Sequence, residues 1–302
     1  MSVSFPTGVS GARIPDPPLD MATPYWPNLI FSAAGIAVAI VALGYAILVA
    51  GRAHSALPLV VYLSGGISAL ILEPALDVNG GCWWPRIGGW DLYTVYGTPI
   101  PAWAVAAYFW FVGGQALLIW QALERWPSGK TVWRCWLAVI GTNFLLETPG
   151  LLMGVYAYWG QQPLKTPWGL PLWWLPVNAC MPLVPATIVY LLRHRLTGVR
   201  LLLAIPLVPL GAGAAEGAAS GPAWLVLNSA DVPWMLTQIA GVAVFVLAAS
   251  LVWAIAGVVD QRSALAAEVP NASDEAAGTE PEPAGGAVAA DGTEPAGAGA
   301  LV

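Results

Sequence analysis

Seven apolar runs divide this chain, and they restrict its fold more than any other feature of the sequence. They lie at about 28–50, 57–75, 101–123, 132–153, 170–192, 201–218 and 232–257. A membrane helix needs about 20 apolar residues, because backbone groups in lipid must be satisfied within the segment. Only 9% of the residues are charged, against about 25% in a soluble domain. The sequence therefore predicts an all-α fold, a polytopic membrane bundle of about seven transmembrane helices.

The segments at the two ends differ in composition from these runs. Residues 1–26 are polar and proline-rich, and residues 27–260 contain all seven runs. Residues 261–302 are rich in Ala, Gly, Pro and Glu and have few large apolar side chains. Such a composition does not bury enough surface to order itself. We predict an extracytoplasmic segment, a seven-helix transmembrane domain and a disordered acidic tail, in that order.

The distribution of Lys and Arg predicts the orientation of the bundle. Only three of these residues, Arg13, Arg86 and Lys165, belong to one face. Basic residues concentrate in cytoplasmic loops, so we place the other eight in the cytoplasm. The N-terminus is then expected outside and the C-terminus inside. The eight residues are Arg52, Arg125, Lys130, Arg134, Arg193, Arg195, Arg200 and Arg262.

Three of the apolar runs end in a glutamate: Glu73, Glu147 and Glu216. A carboxylate at the end of a membrane helix is costly unless it faces the bundle interior or a wet cavity. Because these are alternate runs, all three should end at the outer face. The sequence predicts three Glu-ended helical hairpins around an acidic chamber. The alternative is that each acid only reaches from a helix end to water.

The helices that return from these glutamates begin alike, with the Pro/Trp signatures PIPAW, LPLWW and VPW. Proline suits the first turn of a helix, where its missing N–H costs nothing. A polar residue follows each Trp by four or five positions, on a similar face and at a similar depth. These polar residues are Tyr108, Asn178 and Gln238.

Glu73 and Asp77 form the motif E-P-x-x-D, which puts both carboxyls on one face if the helix continues past Pro74. Two carboxyls in a poorly solvated site do not both ionise easily, so one keeps a proton beside a proton acceptor. Asn143 stands in the same relation to Glu147 and can orient it. Glu216 lies among Gly, Ala and Ser, which leaves room for a ligand or for close helix packing.

Two long aromatic loops, DVNGGCWWPRIGGWDLYTVYGTP and GVYAYWGQQPLKTPWG, follow Glu73 and Glu147. Irregular backbone is not tolerated against lipid, so we expect both loops to cover the chamber as a lid. The candidate catalytic residues are then Glu73, Asp77, Glu147 and Glu216. The candidate substrate-binding residues are Trp84, Trp90, Tyr93, Tyr96, Tyr108, Asn143, Tyr156, Tyr158, Trp173, Asn178 and Gln238.

Several classes of function lack their sequence signals. The seventh run has no lysine for a Schiff base, and no phosphate-binding glycine motif is present. His and carboxylate residues show no metal-ligand spacing, and the three cysteines show no paired spacing. We therefore expect no metal site, no cofactor and no nucleic-acid partner. The expected partners are a hydrophobic small molecule and the lipid bilayer.

The segments LEPALDVNGGCWWP, YGTPIPAWAVAAYFWFVGGQ and LETPGLLMGVYAYWGQQPLKTPWGLPLWWLPVNA resemble the AveC-like spirocyclase family of bacterial membrane proteins. The resemblance covers roughly residues 30–255. Its most specific parts are EPxxD, the helix start G-x-P-[IL]-P-x-W and the loop GVYxYxG…P-[LF]. It implies a bacterial cell-membrane protein that forms a spiroketal on a polyketide with loss of water. It also implies that Glu73, Asp77 and Glu147 act as the acid/base set, without assigning which is the acid.

Three alternatives stay open at this stage. The family is similar in character to membrane-bound meroterpenoid terpene cyclases, which start by protonating an epoxide or an alkene. Acids on a repeat axis also suit a proton-coupled carrier. A lipid-binding or scaffold protein would use the acids only at helix ends. The sequence gives neither the substrate nor the oligomeric state.

Overall fold

The computed structural model describes residues 16–268, and seven helices in that range are long and apolar enough to cross a membrane. This confirms the predicted all-α bundle. The helices are α1 (Tyr25–Ala53), α2 (Leu57–Gly80), α3 (Ala102–Arg125), α4 (Gly129–Leu152), α5 (Trp174–Leu192), α6 (Gly198–Leu227) and α7 (Trp234–Glu268).

Three helices run past the glutamates that were expected to end them. Glu73 lies about two turns before the end of α2, Glu147 about one and a half turns before the end of α4, and Glu216 about three turns before the end of α6. The residues that follow each glutamate are mostly small or apolar, and the helices accommodate internal prolines. The acids therefore lie inside helices and not at their ends.

The first residues of the predicted tail, 261–268, are helical. Helix α7 continues to Glu268, because the segment SALAA consists mostly of good helix formers. The chain divides into two compact units after Ser263. Of the second unit, the structure describes only residues 264–268, the last residues of α7. The remainder of the predicted tail, 269–302, and residues 1–15 of the predicted N-terminal segment lie outside the described residues.

Helix α2 is central to the bundle and packs against α1, α3 and α6, while α5 packs against α3 and α6. The contact between α2 and α3 is close enough for the two backbones to touch. A Cβ atom added at Gly65 would lie 2.1 Å from the backbone nitrogen of Gly113. Small residues allow this approach between membrane helices. Within α3, Gly113 belongs to a π-helical segment, Phe109–Gly114.

The two long loops, 81–101 and 153–173, form a lid at one end of the bundle. Strand β1 (Cys82–Trp83) of the first loop pairs antiparallel with β4 (Ala157–Tyr158) of the second. Between them in sequence, β2 (Asp91–Val95) and β3 (Thr98–Pro101) form a hairpin. Its two turn residues, Tyr96 and Gly97, both have positive φ, as tight hairpin turns require. The lid thus holds the first two helical hairpins together.

We expect Gly65→Ala to destabilise the protein by about 1–3 kcal/mol, because the added methyl group would overlap backbone atoms of α3. The matched control is Gly44→Ala on α1, where an added Cβ meets no atom within 4 Å. Thermal unfolding in detergent, monitored by circular dichroism, gives the unfolding midpoint of each variant. Equal midpoints for the two would contradict the close approach of α2 and α3.

Candidate active site

A cavity of about 80 Å³ lies beneath the lid, and we call it the acidic cavity. Residues of α2, α3, α4 and α5 line it together with residues of the two loops. Six of the predicted binding residues are among them, and three of the four predicted catalytic residues. These nine are Glu73, Asp77, Trp84, Tyr108, Asn143, Glu147, Tyr156, Tyr158 and Asn178.

Helix α2 brings two buried carboxyls to this cavity. Because α2 continues past Pro74, Glu73 and Asp77 are one turn apart on the same face. The hydroxyl of Tyr108 donates a hydrogen bond to Oε2 of Glu73. The indole Nε1 of Trp84 donates to Oδ2 of Asp77 at 2.6 Å. Burial of a carboxyl is tolerable only with such partners.

Helix α4 supplies the third carboxyl, Glu147, which accepts two hydroxyl hydrogen bonds on one oxygen. Tyr156 donates to Oε2 at 2.6 Å and Tyr158 donates to the same atom at 3.0 Å. Burial, and then the nearby Glu147 carboxylate, raise the pKa of both tyrosine hydroxyls well above its usual range. Both hydroxyls therefore keep their protons at neutral pH and remain donors.

The thiol of Cys82 also lines the cavity, beside Asp77. Burial, and then the negative charge of Asp77, raise the pKa of the Cys82 thiol well above its ordinary value. The thiol is therefore protonated and a poor nucleophile at neutral pH. It contributes a small, weakly polar wall to the site.

Loop 153–173 anchors the end of α2 that carries the acids. Helix α2 is capped by Gly81, whose φ of 68° is the left-handed conformation that glycine adopts without strain. Nε2 of Gln162 donates to the Gly80 carbonyl at 2.8 Å, and Nε1 of Trp173 donates to Oε1 of Gln162 at 3.1 Å. Trp173, a predicted binding residue, thus lies behind the site, and its neighbour Trp174 lines the cavity.

Glu216, a predicted catalytic residue, does not line the acidic cavity. Its side chain is fully buried within α6, and Oγ of Ser220 donates to its Oε1 at 3.0 Å. Its Oε2 has no hydrogen-bond partner in the described part of the chain. The small residues around it allow close helix packing, one of the two interpretations that the sequence left open.

Four other predicted binding residues lie away from the cavity. Trp90 and Tyr96 are exposed in the first loop. Tyr93 donates its hydroxyl to a backbone carbonyl of α2 at 3.0 Å. Oε1 of Gln238 accepts the backbone N–H of Leu164 at 2.9 Å, which ties α7 to the second loop. Tyr93 and Gln238 therefore brace the lid.

Some lining residues were not predicted, including Cys82, Phe111, Trp174 and Met181. Their positions on the helices would have identified two of them from the sequence. Phe111 follows Tyr108 by three positions and Met181 follows Asn178 by three, so each lies one turn deeper on the same face. Nothing in the pair Trp173–Trp174 indicates which ring faces the cavity.

The threefold sequence pattern becomes twofold at the site. The first two hairpins, α2–α3 and α4–α5, supply the lining together with their loops, and none of the described residues of α6 or α7 takes part. The connection between α6 and α7 is short, from Asn228 to Pro233. It lacks the length to reach over the cavity as the other two loops do.

No model of a known protein family, no curated protein and no solved structure matches the chain. Within residues 16–268, His, Cys, Asp and Glu form no group of three or more that could hold a metal ion. The ionisable groups that line the acidic cavity are carboxyls, aromatic hydroxyls and one thiol.

We expect Cys82 to resist alkylation in the folded protein. Because its pKa is raised, its thiolate fraction at pH 8 should be at least about tenfold lower than that of a free thiol. The test uses Cys135→Ala/Cys180→Ala protein in detergent, treated with iodoacetamide and analysed by mass spectrometry. The same protein denatured in dodecyl sulfate is the control and should react fully. Equal rates in the two states would contradict the buried position of β1.

Proposed function

We propose that this chain is an integral membrane cyclase, which closes rings on a hydrophobic substrate by proton transfer between buried carboxyls, without a cofactor. The favoured reaction is spiroketal or related ether-ring formation on a polyketide intermediate. The observation that carries this proposal is the set of three buried carboxyls around one cavity, each with an aromatic hydrogen-bond donor. The resemblance of the motifs to AveC-like spirocyclases supports the same reaction.

The proposed reaction is balanced by proton transfers alone. In the first closure, a substrate hydroxyl attacks the ketone carbon, its proton passes to a carboxylate, and a carboxylic acid protonates the carbonyl oxygen. In the second closure, the hemiketal hydroxyl takes a proton and leaves as water. The other hydroxyl then attacks the oxocarbenium ion and gives up its proton. One water is lost and no electron is transferred, so the reaction needs no oxidant or reductant.

The hydrogen bonds favour a division of roles. Glu147 accepts two hydroxyl hydrogen bonds on one oxygen, and an ionised carboxylate is a pure acceptor, so we assign Glu147 as the base. Glu73 and Asp77 lie one turn apart in a water-poor site, where two negative charges repel strongly. We therefore expect this pair to retain one proton, and we assign the pair as the general acid.

The aromatic walls suit a cationic intermediate. Trp84 packs against Trp103 and Tyr156 with ring centroids 5.3 Å and 5.0 Å apart. The negative faces of such rings attract positive charge. The same observation favours the second candidate, a terpene or meroterpenoid cyclase that protonates an epoxide or an alkene. The two reactions differ in mass balance, since only spiroketal formation releases water.

A proton-coupled carrier is the competing class outside enzymes. Carrier sites usually lie near the bilayer midplane on broken helices. Here the three acids lie in the half of the bundle next to the lid. Asp77 and Glu147 each accept a hydrogen bond from a residue of the loops. From the resemblance to a bacterial family we further propose a bacterial cell membrane, and from the charge distribution an orientation across it. The lid is then outside, and the C-terminus is cytoplasmic.

We expect Glu73→Gln to abolish product formation in a producing strain, with a fall of at least about a hundredfold. High-resolution mass spectrometry of the metabolites should then find a precursor heavier than the product by one water. Asp231→Asn, an exposed change in the α6–α7 connection, is the control and should leave the product unchanged.

The outcomes separate the candidates. A precursor with the same mass as the product would favour the isomerising terpene-type cyclase. Unchanged metabolites, with Glu73→Gln protein at its normal level in the membrane, would refute the catalytic role of Glu73 and favour a carrier or scaffold.

We expect Tyr156→Phe to lower kcat by about tenfold or more, because Glu147 loses a short charge-assisted hydrogen bond. Tyr158→Phe removes the longer bond and should have a smaller effect. Purified variants in detergent, given the precursor that accumulates with Glu73→Gln, provide the rates. An unchanged kcat in both variants would contradict the role assigned to Glu147.

A further inference from the structure

A second cavity, of about 600 Å³, lies between α1, α3 and α4, and we call it the lateral groove. Its lining is mostly apolar, and two lining residues, Val41 and Leu118, are more than half exposed. The groove therefore opens on the lipid-facing side of the bundle. Its volume falls within the range of small-molecule sites, about 300–1,000 Å³, whereas the acidic cavity is much smaller.

The lateral groove and the acidic cavity are neighbours between the same two helices. On α3, Trp110 lines the groove and Phe111 lines the cavity. On α4, Thr142 lines the groove and Asn143 lines the cavity. A chain lying in the groove would therefore have one end close to the carboxyls.

The π-helical segment of α3 shapes this groove. The backbone N–H of Gln115 donates to the carbonyl of Trp110, five positions earlier. In a regular α-helix, residues five apart point in different directions. The wider turn brings Gln115 over Trp110, so both line the groove. Single π turns of this kind are frequent at functional sites.

In the described part of the chain, both residues carry a hydrogen-bond donor without a partner. Gln115 is 8% exposed, and its Nε2 has no hydrogen-bond partner among residues 16–268. The same holds for Nε1 of Trp110. An unpaired buried donor is costly, above all inside a membrane. Both nitrogens are covered by protein atoms, so the flexible amide of Gln115 has to rotate to meet an acceptor.

We propose that the lateral groove holds the non-reacting chain of the substrate, and that this chain carries oxygen. The substrate enters from the bilayer and places its reacting end in the acidic cavity. An oxygen of its chain accepts a hydrogen bond from the amide of Gln115, rotated toward the groove. A hydrocarbon isoprenoid chain offers no acceptor, so the groove selects an oxygenated, polyketide-like chain. This inference rests on the proposed function and specifies the substrate class.

The experiment uses three synthetic probes with purified full-length protein in detergent. The first is a short dihydroxyketone that can close two rings. The second carries a dodecyl chain with one ether oxygen, and the third has a methylene group in place of that oxygen. Ala122→Phe fills the groove, and Ala254→Phe, at an exposed position on α7, is its matched control. Gln115→Leu removes the donor.

We expect Ala122→Phe to lower kcat/KM by about tenfold for the two long probes and to leave the short probe unchanged. We expect Gln115→Leu to lower kcat/KM about fivefold for the ether probe only. Ala254→Phe should behave as wild type. Equal effects on long and short probes, or no advantage of a long chain in wild type, would overturn the inference. The second result would indicate that the groove holds a lipid tail only.

Photolabelling separates this inference from the proposed function. A diazirine on the dodecyl chain should label peptides of α3 and α4, and Ala122→Phe should abolish that labelling. If wild-type protein closes no ring on any probe but is labelled there, the proposed function fails and the chain-binding groove stands. If no label reaches α3 or α4, the groove assignment is refuted whatever the turnover.

Discussion

The cost of burying the three carboxyls of the acidic cavity inside an apolar bundle governs the rest of this structure. A buried carboxylate without partners would shed its charge or unfold its surroundings. Here each of these carboxyls accepts a hydrogen bond from an aromatic side chain, which holds it in place. Three of the four donors, Trp84, Tyr156 and Tyr158, come from the loops. The lid is therefore part of the site and not only its cover.

This dependence explains why the two loops are joined to each other and to the helix ends. The pairing of β1 with β4 fixes Tyr158 opposite Cys82. It holds together the donors of both loops, Trp84 on Asp77 of α2 and the two tyrosines on Glu147 of α4. Gln162 then closes the end of α2 through the Gly80 carbonyl. The close contact of Gly65 with Gly113 holds α2 and α3 at the distance that lets Tyr108 reach Glu73. Packing deep in the bundle thus sets the geometry of the carboxyls.

The sequence predicted the features that depend on hydropathy and helical spacing. Seven helices follow from apolar runs, and the shared face of Glu73 and Asp77 follows from the four-residue interval once α2 continues past Pro74. Helix ends were harder to predict, since a proline removes one hydrogen bond without stopping a membrane helix. The inward ring of the Trp173–Trp174 pair and the position of Glu216 depend on helix rotation. One sequence does not contain that information, because each apolar face packs equally well against lipid or protein.

The size of the acidic cavity sets a condition on the proposed cyclase reaction. About 80 Å³ accommodates a few water molecules or the reacting atoms of a substrate, not a whole polyketide. Separating the loops would break the two-residue ladder between β1 and β4 and expose the buried rings of Trp84, Tyr156 and Tyr158. Opening would remove Trp84 from Asp77 and the two tyrosines from Glu147 while water enters. Closing would expel the water and restore the donors. In the proposed reaction, one movement of the loops would therefore both enclose the substrate and restore the hydrogen bonds to the carboxyls.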